Sequence, residues 1–501
     1  MIRYLIIIGC FIIPQSNLWA EDFNILDFGA IADGKTLNTL AIQAAIDTSH
    51  KVGKSRVIVP EGRFLTGGLD LKSGVELHLA EGAVLLGSTL PADYRIVERS
   101  YMRAIVMASF QDNIAITGSG EIDGQGRPTA LHLDSLFYAG QLDSARYNLV
   151  EMRPRFYMRP MLIVFVGCNN VIISNIKLRN SASWVQHYDR CNNLSIDGIH
   201  VDSDAYWNND GIDISDSKNV RVTNCNINSS DDGICLKSHY VDHFIDSVYI
   251  ANCVIRSSAS AIKFGTKSLG GFKNVHIENI QVYDTYRSAI AIETVDGGFL
   301  ENVVVENIRA LNTGNAIFIK IGHREPELGV GQLKNILLKN INVEVAFERP
   351  DYAYDIRGPA LPFFHNIFPV SITGIPGHAI ENIILENINI KYPGRGNNGL
   401  ANRPLSRLDD IPENESDYPE YSMFGELPAW GFYVRHVDGL IMKKINLSIE
   451  APDYRPPMVF DDVRNLILQS IIIKGDQKKA HIILHNTENV NTEDDNAVLK
   501  M

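Results

Sequence analysis

Asp210, Asp231 and Asp232 stand out in this 501-residue chain, because each opens or precedes a short run that reads as a strand. The first run is Asp210-Gly211-Ile212-Asp213-Ile214, within W-N-N-D-G-I-D-I-S; the second is Asp232-Gly233-Ile234-Cys235-Leu236, within S-D-D-G-I-C-L-K. Apolar residues at alternate positions argue for strands with one buried face. The glycines allow a turn before each strand. If the two strands pair in parallel, Asp210 lies beside Asp232 at about 5 Å, with Asp231 next to it. Three carboxylates in so small a patch repel one another and push their pKa values apart. A general acid and a general base of one residue type need that separation. The alternative is a set of solvated turn aspartates, the better reading for a lone Asp-Gly. An N-x-D-G and a D-D-G in register favour catalysis.

Such a register needs a repeating scaffold, and the chain carries one. A small polar residue followed by an apolar alternation recurs at Asn113, Asn170, Asn193, Asn219, Ser247, Asn274, Asn302, Asn335, Asn382 and Asn465. From Asn170 to Asn302 the steps are 23, 26, 28, 27 and 28 residues, a solenoid period. A second strand follows each of these positions, as at Ile199-His200-Val201 and Ile280-Gln281-Val282. A third follows in the central units: Ile212–Ile214, Ile234–Leu236, Ile262–Phe264, Ile290–Ile292 and Ile317–Ile319. Three short strands per turn with little helix predict an all-β chain, a right-handed single-stranded parallel β-helix. The recurring Asn predicts side-chain amides bonded from coil to coil, because buried polar groups must find partners. Near the start, Asn38 or Thr39 is the N-cap expected for a capping helix through Ile42, Ala45 and Ile46. Where the period stretches, two long loop insertions are expected, Gly126–Pro160 and Tyr392–Trp430; the second carries Arg395, Arg403, Arg407, Tyr418 and Tyr421.

Stacking the third strands gives columns. Asp210, Asp232, Ser260, Ser288 and Asn315 precede the strands, and Asp213, Cys235, Lys263, Ala291 and Phe318 point outward. Two residues further on come Ser215, Lys237, Gly265, Glu293 and Lys320. One face thus combines aspartates with Lys237, Lys263, Arg287 and Lys320; a solvated charge ladder is the alternative. Lys263, Lys237, Arg287, Asn208, Asp213 and His187 are the candidate substrate contacts.

The formal charge of −13 argues against nucleic acid and against an anionic membrane surface as partners. The first residues read as an export leader: an apolar run over Leu5–Ile13, with cleavage expected after Ala20. That run is too short to span a bilayer. Ile7-Ile8-Gly9-Cys10 loosely matches a lipoprotein box, but the apolar run continues past it. Residues 21–501 are then one β-helix domain, periplasmic or extracellular and expected to be a monomer. Cys168, Cys191, Cys225, Cys235 and Cys253 lack C-x-x-C spacing and are odd in number, so buried stacking is expected rather than a metal site or disulfide framework.

The order D-F-G-A-I-A-D-G-K-T, G-S-G-E-I-D-G-Q-G (Gly118 to Gly126), N-N-D-G-I-D and D-D-G-I resembles the polygalacturonase family of pectin-degrading glycoside hydrolases. The match runs from about Asp22 to Gly298. The resemblance implies a right-handed parallel β-helix, hydrolysis with inversion, a polysaccharide or oligosaccharide substrate, and no metal or cofactor. It implies Asp231 as general acid, with Asp210 and Asp232 activating the water. Two motifs depart from the family. Its Gly-His-Gly falls on Ala259-Ser260-Ala261, and the Arg-Ile-Lys that grips a galacturonate carboxylate falls on Ala291-Ile292-Glu293. Plain polygalacturonan is therefore not the expected substrate; a substituted, neutral or differently charged pectic glycan is. Two other classes stay open. A β-helix lyase or epimerase would use a Lys or Arg base, often with Ca²⁺, and a non-catalytic glycan-binding solenoid would show no turnover.

Overall fold

The computed structural model describes residues 21–98, 100–351, 366–475, 481–493 and 498–501. The leader expected over residues 1–20 lies outside the described residues.

The strands wind into a parallel β-helix. Apart from one small ribbon, the described strands join a single sheet whose paired strands run parallel, each bonded to its counterpart one coil away. The expected register holds: Ile212 pairs with Ile234, Ile234 with Ile262, Ile262 with Ile290, and Ile290 with Ile317. All five isoleucines are at most 1% exposed and stack into a continuous interior column. Burying such a side chain is worth about 1.5–3 kcal/mol. Cys168, Cys191, Cys225, Cys235 and Cys253 are buried free thiols.

The recurring asparagines differ from expectation in one respect. Amides do bond from coil to coil, as Asn170 to Asn113 at 3.1 Å and Asn335 to Asn302 at 3.2 Å, but these ladders are exposed. Their common feature is a positive φ, +56° at Asn113 and +58° at Asn302. Asn tolerates the left-handed region that turns a corner within one residue. A second ladder at Asn279, Asn307, Asn340 and Asn387 repeats the device five residues later. Strand pairing therefore continues around corners, and Gly271–Thr294 and Phe299–Ile321 each run through all three faces.

Helix α1 (Thr39–Val52) buries Ile42, Ala45, Ile46 and Ser49 against the first coils. Asn38 sits at its N-cap position without capping it. The Asn38 amide instead bonds the loop, accepting from the Ile31 N–H at 2.7 Å and donating to the Thr36 carbonyl at 2.7 Å.

The insertion over 126–160, read from sequence as a loop, contains helix α2 (Gly126–Tyr138) and the ribbon Tyr147–Asn148/Arg153–Pro154. Only Gly126, Thr129, Ala130 and Leu133 of α2 are buried, a stripe too short to show as periodicity. The insertion over 392–430 is packed. Leu408, Ile411, Tyr421, Phe424 and Leu427 form an apolar layer on Ala291, Phe318, Tyr433, Val459 and Ile483 of the outward column.

Candidate active site

Asp210 and Asp232 precede paired strands, and the Gly211 N–H donates to the Asp232 carbonyl at 2.8 Å. Neither Gly211 nor Gly233 has a positive φ, so conformational freedom is not why glycine stands there. A Cβ on Gly211 would meet the Gly233 carbonyl at 2.6 Å, and one on Gly233 the Ala261 carbonyl at 2.6 Å. Close coil approach is the reason. The turn before Asp210 is built by buried Asn209, whose carbonyl accepts from Ser203, Ala205 and Tyr206 while its amide donates to the Ser181 and Ser183 carbonyls.

The outward face is not solvated. Asp210 and Asp232 are each 4% exposed and Asp213 is fully buried, while Asp231 keeps partial exposure. Lys237 places Nζ 2.7 Å from Asp213 and 3.4 Å from Asp210. Lys263 places Nζ 3.3 Å from Asp232 and donates to the Tyr418 hydroxyl at 3.1 Å. Burial and the neighbouring Asp232 raise the Asp231 pKa. Burial opposes ionisation of Asp232 too, but Lys263, Lys237, Arg287 and the Ser260 N–H overcome it and hold that pKa below the ordinary value. Burial, Asp213 and Asp231 raise Asp210, against the pull of Lys237. Burial also lifts Asp213, to about 6, against Lys237. The pKa values of these adjacent carboxyls are thus driven in opposite directions, that of Asp231 upward and that of Asp232 downward.

The other candidates fall in three groups. Lys263 and Lys237 bind the carboxylates themselves, and Asp213 is the buried counter-ion of Lys237. Arg287 pairs with Glu420 of the 392–430 insertion at 2.8 Å. Asn208 donates to Asp231 at a long 3.5 Å, and His187 shares a 2.9 Å hydrogen bond with Ser215. Burial holds the His187 pKa well below the ordinary imidazole value, the ring packed 5.2 Å from Trp184 and 5.9 Å from His239. Lys320 lies under the insertion, donating to the Glu413 carbonyl at 3.0 Å.

Three groups were not legible in the sequence. Arg159, 1% exposed, donates to Asn208 at 2.7 Å and to the Ala182 and Trp207 carbonyls, linking one insertion through Asn208 to Asp231. Glu420 and Trp184, the latter under the Lys237 ammonium at 4.8 Å, likewise lie outside the repeat columns. Only the Arg and aromatic content of the first insertion hinted at Arg159; nothing in the sequence pattern pointed to Glu420 or Trp184.

Asp210, Asp232 and Cys235 bring ligand atoms within 4.8 Å of one another. The place a cation would take is held by ammoniums, since Lys237 lies 3.4 Å from Asp210 and 2.8 Å from Cys235 Sγ, and Lys263 3.3 Å from Asp232. The group does not fit a metal.

At the positions of the family's Arg and Lys clamp, Ala291 is buried beneath the insertion and Glu293 is 1% exposed with Oε2 lacking a partner. Burial raises the Glu293 pKa to about 8. Its carboxyl is therefore largely protonated at neutral pH.

A family model described as glycosyl hydrolases family 28 matches residues 49–347, more than half of the chain. A probable polygalacturonase of Vitis vinifera is 31% identical over 285 residues, 52% of this chain and 55% of that protein. An exo-poly-alpha-D-galacturonosidase of Dickeya chrysanthemi is 28% identical over 299 residues, 51% of this chain and 49% of that protein. The chain spans about half the length of these curated relatives. The family 28 exopolygalacturonase of Yersinia enterocolitica superposes with a TM-score of 0.65 at 20% identity, covering 94% of this chain and 78% of that one. A hyperthermoactive exopolygalacturonase from Thermotoga maritima gives 0.59 at 24%, covering 74% and 87%. At these identities the two structures share the fold.

Proposed function

The chain belongs to glycosyl hydrolase family 28, and from that premise we propose an exported, inverting glycoside hydrolase acting on a pectic or related acidic plant-type polysaccharide or its oligosaccharides. The observation that carries this reading is the contrast between neighbours in one buried carboxylate cluster: burial and Asp232 raise the Asp231 pKa, while Lys263, Lys237 and Arg287 hold that of Asp232 below its ordinary value. Asp231 donates its proton to the leaving glycosidic oxygen as the bond from the anomeric carbon breaks. Water attacks that carbon from the opposite face and gives a proton to the Asp232 carboxylate. Asp210, raised by burial, positions the water beside it. Inversion requires acid and base carboxyls roughly 6.5–9.5 Å apart, with the water between them.

The substrate reading follows from the altered clamp. Where the family carries two cations this chain has Ala291 and Glu293, both buried and offering a uronate carboxylate no charge partner, while Lys263 and Arg287 are engaged by Asp232 and Glu420. A sugar neutral at that subsite is favoured, as in a rhamnogalacturonan fragment or side chain, over plain polygalacturonan. The insertions reach the acid cluster from two sides, through Arg159–Asn208 and Tyr418–Lys263, which favours short substrates or chain ends. A lyase reading loses support because its base must be uncharged, whereas the aspartates hold Lys237 and Lys263 strongly protonated.

The test is product analysis by NMR across a panel of pectic oligosaccharides. Inverted reducing ends without unsaturation are expected. An ultraviolet-absorbing unsaturated product would overturn hydrolysis, and rapid cleavage of plain polygalacturonate would overturn the substrate reading.

A further inference from the structure

A second groove lies on the second-strand segments, around the corner from the aspartates. It encloses about 290 Å³ and crosses the coils from Arg309 to Lys474. Two columns form its sides. Arg309, Asn342, Asn389 and Asn446 are paired in register from coil to coil. Two residues further along the same strands run Glu344, Lys391, Ser448 and Lys474. Residues two apart on a strand share a face, so the columns run side by side along the solenoid axis.

The first column presents amides. Asn446 donates to Asn389 at 2.8 Å, and Asn389 to Asn342 at 2.9 Å. Each bond uses one of two N–H donors per amide. The remaining donors and the Asn446 carbonyl form a row of hydrogen-bonding groups spaced at about 4.8 Å. At the diagonal corners stand Arg309 and Lys474, both exposed and without an ion-pair partner among the described residues. Lys391 is held by Glu450 at 2.6 Å and lies 3.9 Å from Glu344. Even counting both glutamates the groove keeps an excess of positive charge, on a chain whose net charge is −13.

We propose that this groove is a second polysaccharide site, which takes an extended uronate-bearing stretch of glycan along the solenoid axis. Carboxylates meet Arg309 and Lys474, and sugar hydroxyls bridge the amide row. The site holds the polymer on a face separate from the cleaving aspartates. It rests on the functional reading only for the origin of its ligand, an acidic polymer of the kind the active site attacks.

The test uses the full chain carrying Asp231→Asn, so that binding is read without turnover. Polygalacturonate oligomers are titrated calorimetrically at low and raised ionic strength, with neutral dextran oligomers in parallel. Saturable, salt-sensitive binding of polygalacturonate but not dextran is expected. Arg309→Ala with Lys474→Ala should weaken it at least tenfold, and Asn389→Ala should weaken it at unchanged salt dependence. Neither change should alter Tm or, with Asp231 restored, the rate on a short cleaved substrate. Unchanged affinity in the double variant, or equal binding of dextran, overturns the proposal. A chain that binds polygalacturonate through Arg309 and Lys474 yet hydrolyses no glycan keeps this site and loses the proposed function.

Discussion

Lys263 sits with its ammonium 3.3 Å from the Asp232 carboxylate and 3.1 Å from the Tyr418 hydroxyl, a residue of the distant 392–430 insertion. The cation that appeared in the sequence as a free substrate contact is the counter-ion of the proposed base. Its substitution should therefore change the chemistry before it changes binding.

Lys263→Met should lower kcat at least tenfold with a smaller change in KM. It should also shift the acidic limb of the pH–rate profile upward. The sign follows from Asp232: its pKa is held down by Lys263, so removing the cation raises it, and the base is lost at a higher pH. A rise in KM alone, with the acidic limb unmoved, would assign Lys263 to the substrate instead.

Asp231→Asn should cost kcat about 10²–10⁴-fold while leaving substrate affinity largely intact, because proton donation acts in the transition state. Single-turnover kinetics with a binding isotherm measure both. A variant that keeps more than a tenth of the rate removes Asp231 from the acid role.

Glu293 connects the site to stability. Its pKa rises on folding, from 4.5 to about 8, because burial disfavours the charged form. The folded state then holds more protons than the unfolded one across that window. The stability this gives is full below about 4.5 and is lost as pH rises through about 8. Glu293→Gln should leave Tm near the wild-type value at pH 5 and raise it by roughly 1–3 °C at pH 9. Equal shifts at both pH values, by differential scanning calorimetry, would show that Glu293 is ionised in the fold.

Arg287 and Glu420 should prove coupled. They meet at 2.8 Å with side chains 14% and 20% exposed. A cycle of Arg287→Met, Glu420→Gln and the double variant should give an interaction free energy of roughly 0.5–3 kcal/mol. Each single change should also expose the 413–421 segment to proteolysis. Additive effects would mean that the insertion is held by its apolar layer alone.

The positions of the three aspartates were legible because they belong to the repeat. Where equivalent residues recur at a near-constant step, in-register parallel pairing sets like upon like, and the neighbour of Asp210 follows from counting. The isoleucine column and the outward column of Asp213, Cys235 and Lys263 follow the same rule. Even here the physical reason was partly hidden. The recurring Asn turns a corner at positive φ at the surface, and Gly211 and Gly233 are set by the approach of the next coil.

What tertiary structure alone decided lies outside that period. Helix α2, the Arg159–Asn208 link and the apolar layer of Tyr421, Phe424 and Leu427 come from insertions with no repeat to read. Those insertions fold over the outward face and turn a ladder that could have been solvated into a buried one. Burial then decides the chemistry. A carboxyl's pKa depends on how much water remains and which charges, of either sign, stand nearest. For Asp231, Asp232 and Glu293 those neighbours are Lys263, Arg287 and Glu420, brought together from separate coils and a segment more than a hundred residues away. Spacing along the chain carries no record of such contacts, because they form only when the coils and the insertions pack.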